Sequence, residues 1–360
     1  MERRKNKCIS FFVLLSIGCL FALYTTYSRY GFNNATSNIP QLLNQKQEKN
    51  WINAMEEKYS KISERIQNVC KKINNTKRKW THDSVGVASL QTKLMLDTPH
   101  NLAACLNPKV GSTTWEATFY QLLPKKIVHE IKSKVRNNEN HDTRSFVRRK
   151  YNGLSLIGNL TEHRSQNDLM DHKLTYNDWK IYKKKNKILT FTFVRHPFVR
   201  LVSAYQYLIV EYQAKALYNH HPWIKKWYKK NHSFPSFVNL ILQQYKINFV
   251  NGHWVPFYTN CNLCEVDYDV IGRMETFSDD FRFIIEKKKL QKIIPLSQAK
   301  LTVMPSDKRK MERKHIKHKN TQKMAKSLMS QLTKSQFDGL YNMYRYDFDM
   351  FGYDAKQYST

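Results

Sequence analysis

The sequence is poor in acidic residues. Its 360 residues include 29 Asp and Glu against 60 Lys and Arg, which gives a net charge of +31. Disorder is excluded because 41% of the residues are apolar and 13% are aromatic, as in packed proteins. A positive surplus of this size predicts an anionic partner: a nucleic acid, an acidic membrane surface or an acidic polysaccharide.

Several motifs are also missing. The sequence has no G-x-x-x-x-G-K-[ST] phosphate loop and no acidic motif for Mg²⁺, which argues against a nucleotide kinase. Cys261-x-x-Cys264 has no second Cys/His pair at zinc-finger spacing. We therefore predict no metal and favour structural disulfide bonding over zinc. Internal repeats are absent as well.

One long uncharged run is present near the start. Residues 8–27 follow a segment, 1–7, that contains four basic residues. An uncharged helix of this length spans a hydrocarbon core of about 30 Å, whereas the apolar part of a cleaved signal peptide has about 7–15 residues. We predict a cytosolic tail (1–7) and a transmembrane signal-anchor (8–27) rather than a cleaved signal. The remainder would be lumenal, because positive flanks stay cytosolic.

Glycosylation motifs and cysteines agree with a lumenal location. Asn-x-Ser/Thr tripeptides begin at Asn34, Asn74, Asn159 and Asn231. An even number of cysteines follows the anchor, and their spacing leaves all three disulfide pairings open: Cys70, Cys105, Cys261 and Cys264. A lumenal domain does not meet nucleic acid, so we predict no nucleic-acid partner despite the basic aromatic segment 223–230.

The predicted stem covers 28–94, and its segment 51–73 has helical periodicity. Apolar residues recur there at spacings of three and four: Ile52, Met55, Tyr59, Ile62, Ile66, Val69 and Ile73. The pattern fits a coiled coil, which offers a homodimer through the stem. It fits equally well a helix that packs on the following domain. We predict that this domain covers residues 95–360.

The domain has the alternation typical of an α/β fold. An apolar run at 102–106 leads through a loop to a helical stretch at 114–123, and a run at 188–194 leads to a helix over 198–216. Two strand–loop–helix units predict a central parallel sheet with binding groups at the strand ends. The basic region 125–185 is predicted to be an irregular insertion.

The first loop has the composition of an anion site. It comprises Pro108, Lys109, Val110, Gly111, Ser112, Thr113 and Thr114. A tight turn at Gly111 followed by a helix start would direct backbone N–H groups at an anion, and Lys109 adds a positive charge. From the residues alone, an ordinary capped helix is the alternative.

The second segment carries two arginines. It comprises Arg195, His196, Pro197, Phe198, Val199, Arg200, Leu201, Val202 and Ser203. Pro197 suits the first turn of a helix, on which Arg200 and Ser203 share one face. A guanidinium at Arg195 could grip a phosphate through paired N–H donors, although a structural salt bridge fits the pattern too.

Together, Pro-Lys-Val-Gly-Ser-Thr-Thr and Arg-x-Pro-x-x-Arg-Leu-x-Ser-x-Tyr resemble the two signatures of the Golgi carbohydrate sulfotransferase family. The branch is the one that contains the HNK-1 and chondroitin/dermatan 4-O-sulfotransferases. Further matches are His253-Trp254-x-Pro256, Cys261-x-x-Cys264, and the segments 268–276 and 340–353. The resemblance covers roughly residues 100–354, without 125–185.

The resemblance implies a P-loop-like sulfotransferase domain, single-pass and type II in the Golgi membrane, with 3′-phosphoadenylyl sulfate as co-substrate. It places the 5′-phosphosulfate end on the loop 108–114 with Lys109 at the bridging region, and the 3′-phosphate on Arg195 and Ser203. His196 replaces a usual acidic residue, which bears on pH dependence, and Ser112 replaces a frequent Cys.

Sulfuryl transfer to a sugar hydroxyl also needs a base for the departing proton. We predict His253 for this role, beside Lys109 as the second catalytic residue. A structural histidine next to Trp254 is the alternative. Other candidates for the base are His129, Glu130, His163 and Glu211.

Basic clusters at 125–136, 144–150 and 308–319 predict an anionic glycan acceptor of chondroitin/dermatan or related type. The alternative for each cluster is that its charges are ordinary solvent-exposed surface residues that bind no ligand. A catalytically inactive lumenal glycan-binding relative is the alternative function.

Overall fold

The computed structural model describes seven stretches of the chain: 46–73, 91–137, 154–157, 173–211, 222–247, 251–299 and 321–359. The chain divides into two units, Met1–Glu57 and Lys58–Thr360. The predicted signal-anchor lies outside the described residues. Within the stretches that are described, no helix combines the length and the apolar character needed to cross a membrane.

Six strands form one sheet in the order β4-β3-β1-β2-β5-β6. They are β1 Gln91–Asp97, β2 Leu102–Cys105, β3 Leu154–Ile157, β4 Lys173–Thr175, β5 Leu189–Val194 and β6 Val270–Arg273. The neighbours β2, β5 and β6 are parallel, as are β3 and β4, whereas β1 is antiparallel to β2 and β3. The predicted α/β domain is confirmed with a mixed sheet. The turn between β1 and β2 is too short for the crossover that a parallel pair needs.

The described residues form eleven α-helices. They are α1 (46–73), α2 Ser112–Leu122, α3 Lys125–Asn137, α4 Tyr176–Lys185, α5 Pro197–Tyr205, α6 Pro222–Lys230, α7 Phe234–Lys246, α8 Phe257–Asn260, α9 Phe277–Lys287, α10 Thr321–Met329 and α11 Lys334–Phe351. The predicted helices after the two apolar runs are confirmed as α2 and α5. The second is shorter than expected, because α5 passes into a π-helical turn at Gln206–Glu211.

The core lies on both faces of β5, all of whose residues are buried. On one face, Phe191 and Phe193 contact Trp115 of α2, at ring-centroid distances of 4.2 and 5.5 Å, and Phe281 of α9 contacts the same indole. A second apolar cluster joins α5, α7, α10 and α11. A strand covered on both faces is typical of the centre of a parallel sheet.

The second half of α1 packs on the domain. The buried carboxylate of Asp280 accepts hydrogen bonds from the side chains of Lys58, Tyr59 and Thr276 and from the backbone N–H of Arg273. Burial and the charge of Asp280 raise the pKa of Tyr59 well above its usual range. The apolar face from Tyr59 to Val69 is buried. The periodic apolar residues of 51–73 fitted either a coiled coil or a helix packed on its own domain. The structure shows packing within the chain, and a homodimer through the stem stays a prediction.

Two disulfide bonds join distant parts of the sequence. They are Cys70–Cys264, separated by 194 residues, and Cys105–Cys261, separated by 156 residues. Disulfide bonding of these cysteines is confirmed, and one of the three open pairings is now fixed. Crosslinks over such long loops stabilise by about 4–5 kcal/mol each in the chain-entropy account.

The prediction of an irregular insertion at 125–185 is corrected where the region is described. Lys125–Asn137 and Tyr176–Lys185 are helical, and β3 and β4 extend the sheet. A Thr175–Asp178 capping box starts the second helix, a local signal that the high lysine content of the region obscured.

Candidate active site

Three parallel strands bring the predicted motifs to one edge of the sheet. The register pairs Cys105 with Thr192 and Val194 with Arg273, so β2, β5 and β6 end side by side. Asn107, fully buried, donates from Nδ2 to Thr192 Oγ1 (3.1 Å) and to the Phe193 carbonyl (3.3 Å). The loop after β2 is therefore fastened to the end of β5, where the second motif starts.

The loop 108–111 takes a conformation that few residues adopt. Lys109 has φ +69° and Gly111 has φ +77°. A Cβ at Gly111 would lie 2.7 Å from Cε2 of Phe277 and 3.3 Å from Sδ of Met274. Glycine is thus required twice, by the left-handed backbone and by the close approach of the segment after β6.

Helix α2 starts at the end of this loop and leaves its first turn open. Gly111 O accepts from the backbone N–H groups of Thr114 (2.9 Å) and Trp115 (3.2 Å). Among the described residues, no side chain caps this terminus, and its first turn holds no acidic residue. The earlier N–H groups of the turn and the positive end of the helix dipole suit an anion.

Arg195 follows β5 directly and is largely buried. Burial lowers the pKa of its guanidinium from the ordinary value, and the charge of Glu275 opposes the shift. No described residue forms a hydrogen bond or ion pair with this guanidinium. A partly buried cation without a hydrogen-bonding partner is costly, so its position favours an anionic ligand.

Arg200 has a different environment from Arg195. Its side chain is 1% exposed and donates to three backbone carbonyls: Nε to Pro108 (3.3 Å), Nη2 to Gly252 (2.9 Å) and Nη1 to Val255. It also lies over the Phe257 ring at 4.2 Å, and burial lowers its pKa to about 10. This one guanidinium joins the loop before Lys109 to the loop that carries His253.

The remaining side chains of the second motif are mostly internal. Phe198, Val199, Leu201 and Val202 belong to the apolar cluster, and Pro197 opens α5 as predicted. Ser203 is 8% exposed, one turn after Arg200 on the same helix.

His253 is held by its neighbour Asn251. Oδ1 of Asn251 accepts the backbone N–H of His253 (2.9 Å) and also faces Nδ1 of the ring at 2.8 Å. Because that oxygen can only accept, Nδ1 carries the ring proton. In the neutral imidazole Nε2 is then the basic nitrogen, which is the state a general base requires.

Comparisons with known proteins agree with this arrangement. Residues 92–354 match the model of the Sulfotransferase family. The chain belongs to the sulfotransferase family. The resemblance inferred from the loop 108–114 and the segment from Arg195 is thereby confirmed, and the protein is a sulfotransferase.

The curated relatives of this sulfotransferase are distant but cover most of it. Carbohydrate sulfotransferase 10 of Gallus gallus is 25% identical over 314 residues, which cover 81% of this chain and 74% of that protein. Carbohydrate sulfotransferase 11 of Danio rerio is 24% identical over 283 residues, covering 74% and 68%. Carbohydrate sulfotransferase 12 of Mus musculus is 25% identical over 294 residues, covering 72% and 59%. No solved structure gives a significant match.

The departure at His196 places an imidazole in an aromatic cluster. The ring is 4% exposed, and its Nε2–H donates to the carbonyl of Asp354 (3.0 Å). Nδ1 has no hydrogen-bond partner among the described residues. Its backbone N–H donates to Oε1 of Glu275 (3.0 Å), so the residue fastens the end of β5 to the segment after β6.

We expect His196 to make the sulfotransferase less stable in mild acid. Burial lowers the pKa of His196, and Arg195 adds to this, while Glu275 and Asp354 oppose it. Below pH of about 6.5 the unfolded chain therefore binds a proton that the native ring does not, and stability falls by up to about 1.4 kcal/mol per pH unit. Thermal unfolding between pH 7.5 and 5.5 should be less pH-dependent in His196→Phe than in the wild type. The exposed His232 supplies the control: His232→Phe should keep the wild-type slope, and equal slopes in all three proteins would contradict the expectation.

The other candidates for the base lie on other elements or outside the described residues. His129 and Glu130 lie on α3, Glu211 is exposed at the end of the π turn, and His163 is outside the described residues. In the described stretches no group of three His, Cys, Asp or Glu side chains could hold a metal ion.

Sequence reasoning gave no role to two residues that contact the motifs. Glu275 receives the His196 N–H on one oxygen and the Tyr353 hydroxyl (2.8 Å) on the other. Tyr207 lies against Lys109, with the ammonium 3.9 Å from the ring centroid. Glu275 lay within the matched segment 268–276, which was a usable signal. The sequence held no signal for Tyr207, because it did not predict the π turn in which this residue lies.

Proposed function

We propose that this sulfotransferase moves a sulfuryl group from 3′-phosphoadenylyl sulfate to a hydroxyl of a glycan. The acceptor is a chondroitin- or dermatan-type glycosaminoglycan, or a related glycan that bears N-acetylgalactosamine and glucuronate. The observation that carries the proposal is the meeting of three parts at one edge of the sheet: the open helix start after Lys109, the partly buried Arg195, and the His253 loop tied in by Arg200.

The residues present fit a donor with phosphate at both ends. The first turn of α2 offers N–H groups and a positive dipole, and Arg195 offers a partly buried guanidinium that no described residue pairs. Ser112 begins α2 and Ser203 lies on α5, and both are 8% exposed. The donor supplies the activated sulfuryl group and a phosphate leaving group.

Lys109 and the start of α2 serve the transfer through electrostatics. An in-line displacement builds negative charge on the transferred and leaving oxygens. Fixed positive groups stabilise that charge strongly where water is excluded. His253, protonated at Nδ1, accepts the proton of the sugar hydroxyl at Nε2 as the new S–O bond forms.

The acceptor class rests on charge and on the names of the relatives. Lys125, Lys126 and Lys132 are exposed on α3, while Ile131 of the same helix is buried. Clusters 144–150 and 308–319 lie outside the described residues. A basic surface attracts and orients a polyanion before the hydroxyl reaches the site.

The proposed location is the Golgi membrane, with the signal-anchor at 8–27 and the catalytic domain in the lumen. Two disulfide bonds support an oxidising compartment. Asn231, one of the four glycosylation motifs, is exposed.

Labelled sulfate transfer tests the function. Purified full-length protein is given 3′-phosphoadenylyl [³⁵S]sulfate with desulfated chondroitin, dermatan and heparan in parallel, followed by disaccharide analysis. We expect label on chondroitin or dermatan, and about 10²–10³-fold less label with Lys109→Ala over the same time. Binding of a glycan without transfer to any acceptor would instead identify an inactive glycan-binding relative.

Replacing Arg195 with alanine should chiefly weaken nucleotide binding. A buried charged contact to phosphate is worth about 1.5–3 kcal/mol, so the dissociation constant of adenosine 3′,5′-bisphosphate should rise about 10–150-fold. Calorimetry measures this directly. Arg345→Ala is the matched control, because Arg345 is exposed on α11 and donates to Tyr346. An Arg195 variant that binds the nucleotide like the control would remove Arg195 from the donor site.

A further inference from the structure

An aromatic ring lies against the lysine of the donor loop. The Nζ atom of Lys109 is 3.9 Å from the centroid of the Tyr207 ring. Tyr207 is the second residue of the π-helical turn Gln206–Glu211, which follows α5 without a break. Its ring is partly buried and packs against the apolar cluster of α5, α7 and α11. The ring therefore offers a fixed surface to a flexible side chain.

We infer that Tyr207 is a positioning residue for Lys109. Its ring holds the ammonium beside the start of α2 between turnovers, so that the charge is in place when the transition state forms. The inference rests on the proposed function, in which Lys109 stabilises charge at the transferred group.

The lysine needs such a support because of its own geometry. Four rotatable side-chain bonds separate its backbone from its charge, and fixing them costs conformational entropy. The left-handed backbone of Lys109 (φ +69°) sets the direction in which the side chain leaves the loop. Because the face of the Tyr207 ring lies where the Lys109 side chain ends, it limits the positions that the ammonium can take.

A ring suits this task better than an acidic partner would. The face attracts a cation through its quadrupole without bearing a negative charge. A carboxylate in the same place would hold the lysine more tightly but would oppose the negative charge that the transfer creates. Tyr207 lies within the π turn, a kind of turn that occurs frequently at functional sites.

Steady-state kinetics with variants of the full-length protein test the inference. Tyr207→Leu is expected to lower kcat about tenfold and to change KM for the donor less than about threefold, as a loss confined to the transition state requires. Tyr207→Phe should restore most of kcat, because Phe also has a ring face. Tyr341→Leu is the matched control: Tyr341 is 42% exposed on α11, and its variant should keep wild-type kinetics.

A double-mutant cycle separates positioning from packing. If Tyr207 acts through Lys109, Tyr207→Leu has no further effect in the Lys109→Ala background. An equal, tenfold loss in both backgrounds would overturn the inference and leave Tyr207 as a packing residue. Should Tyr207→Leu unfold, Tyr207→Met fills the space without a ring and replaces it in the cycle.

These experiments distinguish a failure of the proposed role of Lys109 from a failure of the inference about Tyr207. Wild-type turnover in Lys109→Ala alone would contradict the role of Lys109 and this inference with it. A large loss in Lys109→Ala that is additive with Tyr207→Leu would contradict the inference alone.

Discussion

Replacing Lys109 with alanine should lower turnover by about 10²–10³-fold, the usual cost of removing one preorganised donor from a site of developing charge. The affinity for adenosine 3′,5′-bisphosphate should change little, because that product lacks the sulfuryl group at which Lys109 acts. The loss would thus fall on kcat and kcat/KM alike, as for an interaction made only in the transition state.

Rapid-quench measurement of a single turnover, combined with product calorimetry, checks this division. Lys326→Ala is the control, since Lys326 is exposed on α10 and should leave donor chemistry unchanged. A Lys109 variant whose main defect is nucleotide affinity, with the single-turnover rate intact, would show that Lys109 only binds the donor.

The local elements of this site were predictable from the sequence. Leu102–Cys105 and Leu189–Val194 are short apolar strands, and each is followed by a loop and a helix start that the residues signal directly: Gly111 with its Ser/Thr cluster, and Pro197. Local propensity and burial act in the same direction there. Where the two agree, a secondary-structure element can be predicted from its sequence pattern.

The contacts between elements were not predictable in the same way. Arg195 and Arg200 belong to one segment predicted to bind the donor, yet the guanidinium of Arg200 donates to the carbonyls of Pro108, Gly252 and Val255. A helix face shared with Ser203 does not reveal which loops cover that face. The disulfide pairing depends likewise on tertiary distances, which spacing leaves undetermined.

Replacing His253 with alanine should lower kcat by about 10²–10⁴-fold, the range for loss of a general base, with donor-product affinity retained. Asn251→Ala should cost less, about tenfold, because the ring is still present but Nδ1 loses the acceptor that fixes its tautomer.

The ordering of these variants decides between catalysis and structure. His232→Ala is the matched control, because His232 is exposed and stacks on Tyr228, with ring centroids 4.4 Å apart. If His253 were only a structural neighbour of the buried Trp254, its variant would lower the thermal midpoint and keep the specific activity of the folded fraction. If it is the base, the folded fraction keeps its stability and its nucleotide affinity but loses turnover. The Asn251 variant then lies between the wild type and His253→Ala, since the hydrogen bond from Nδ1 orients a base that Asn251 itself cannot replace.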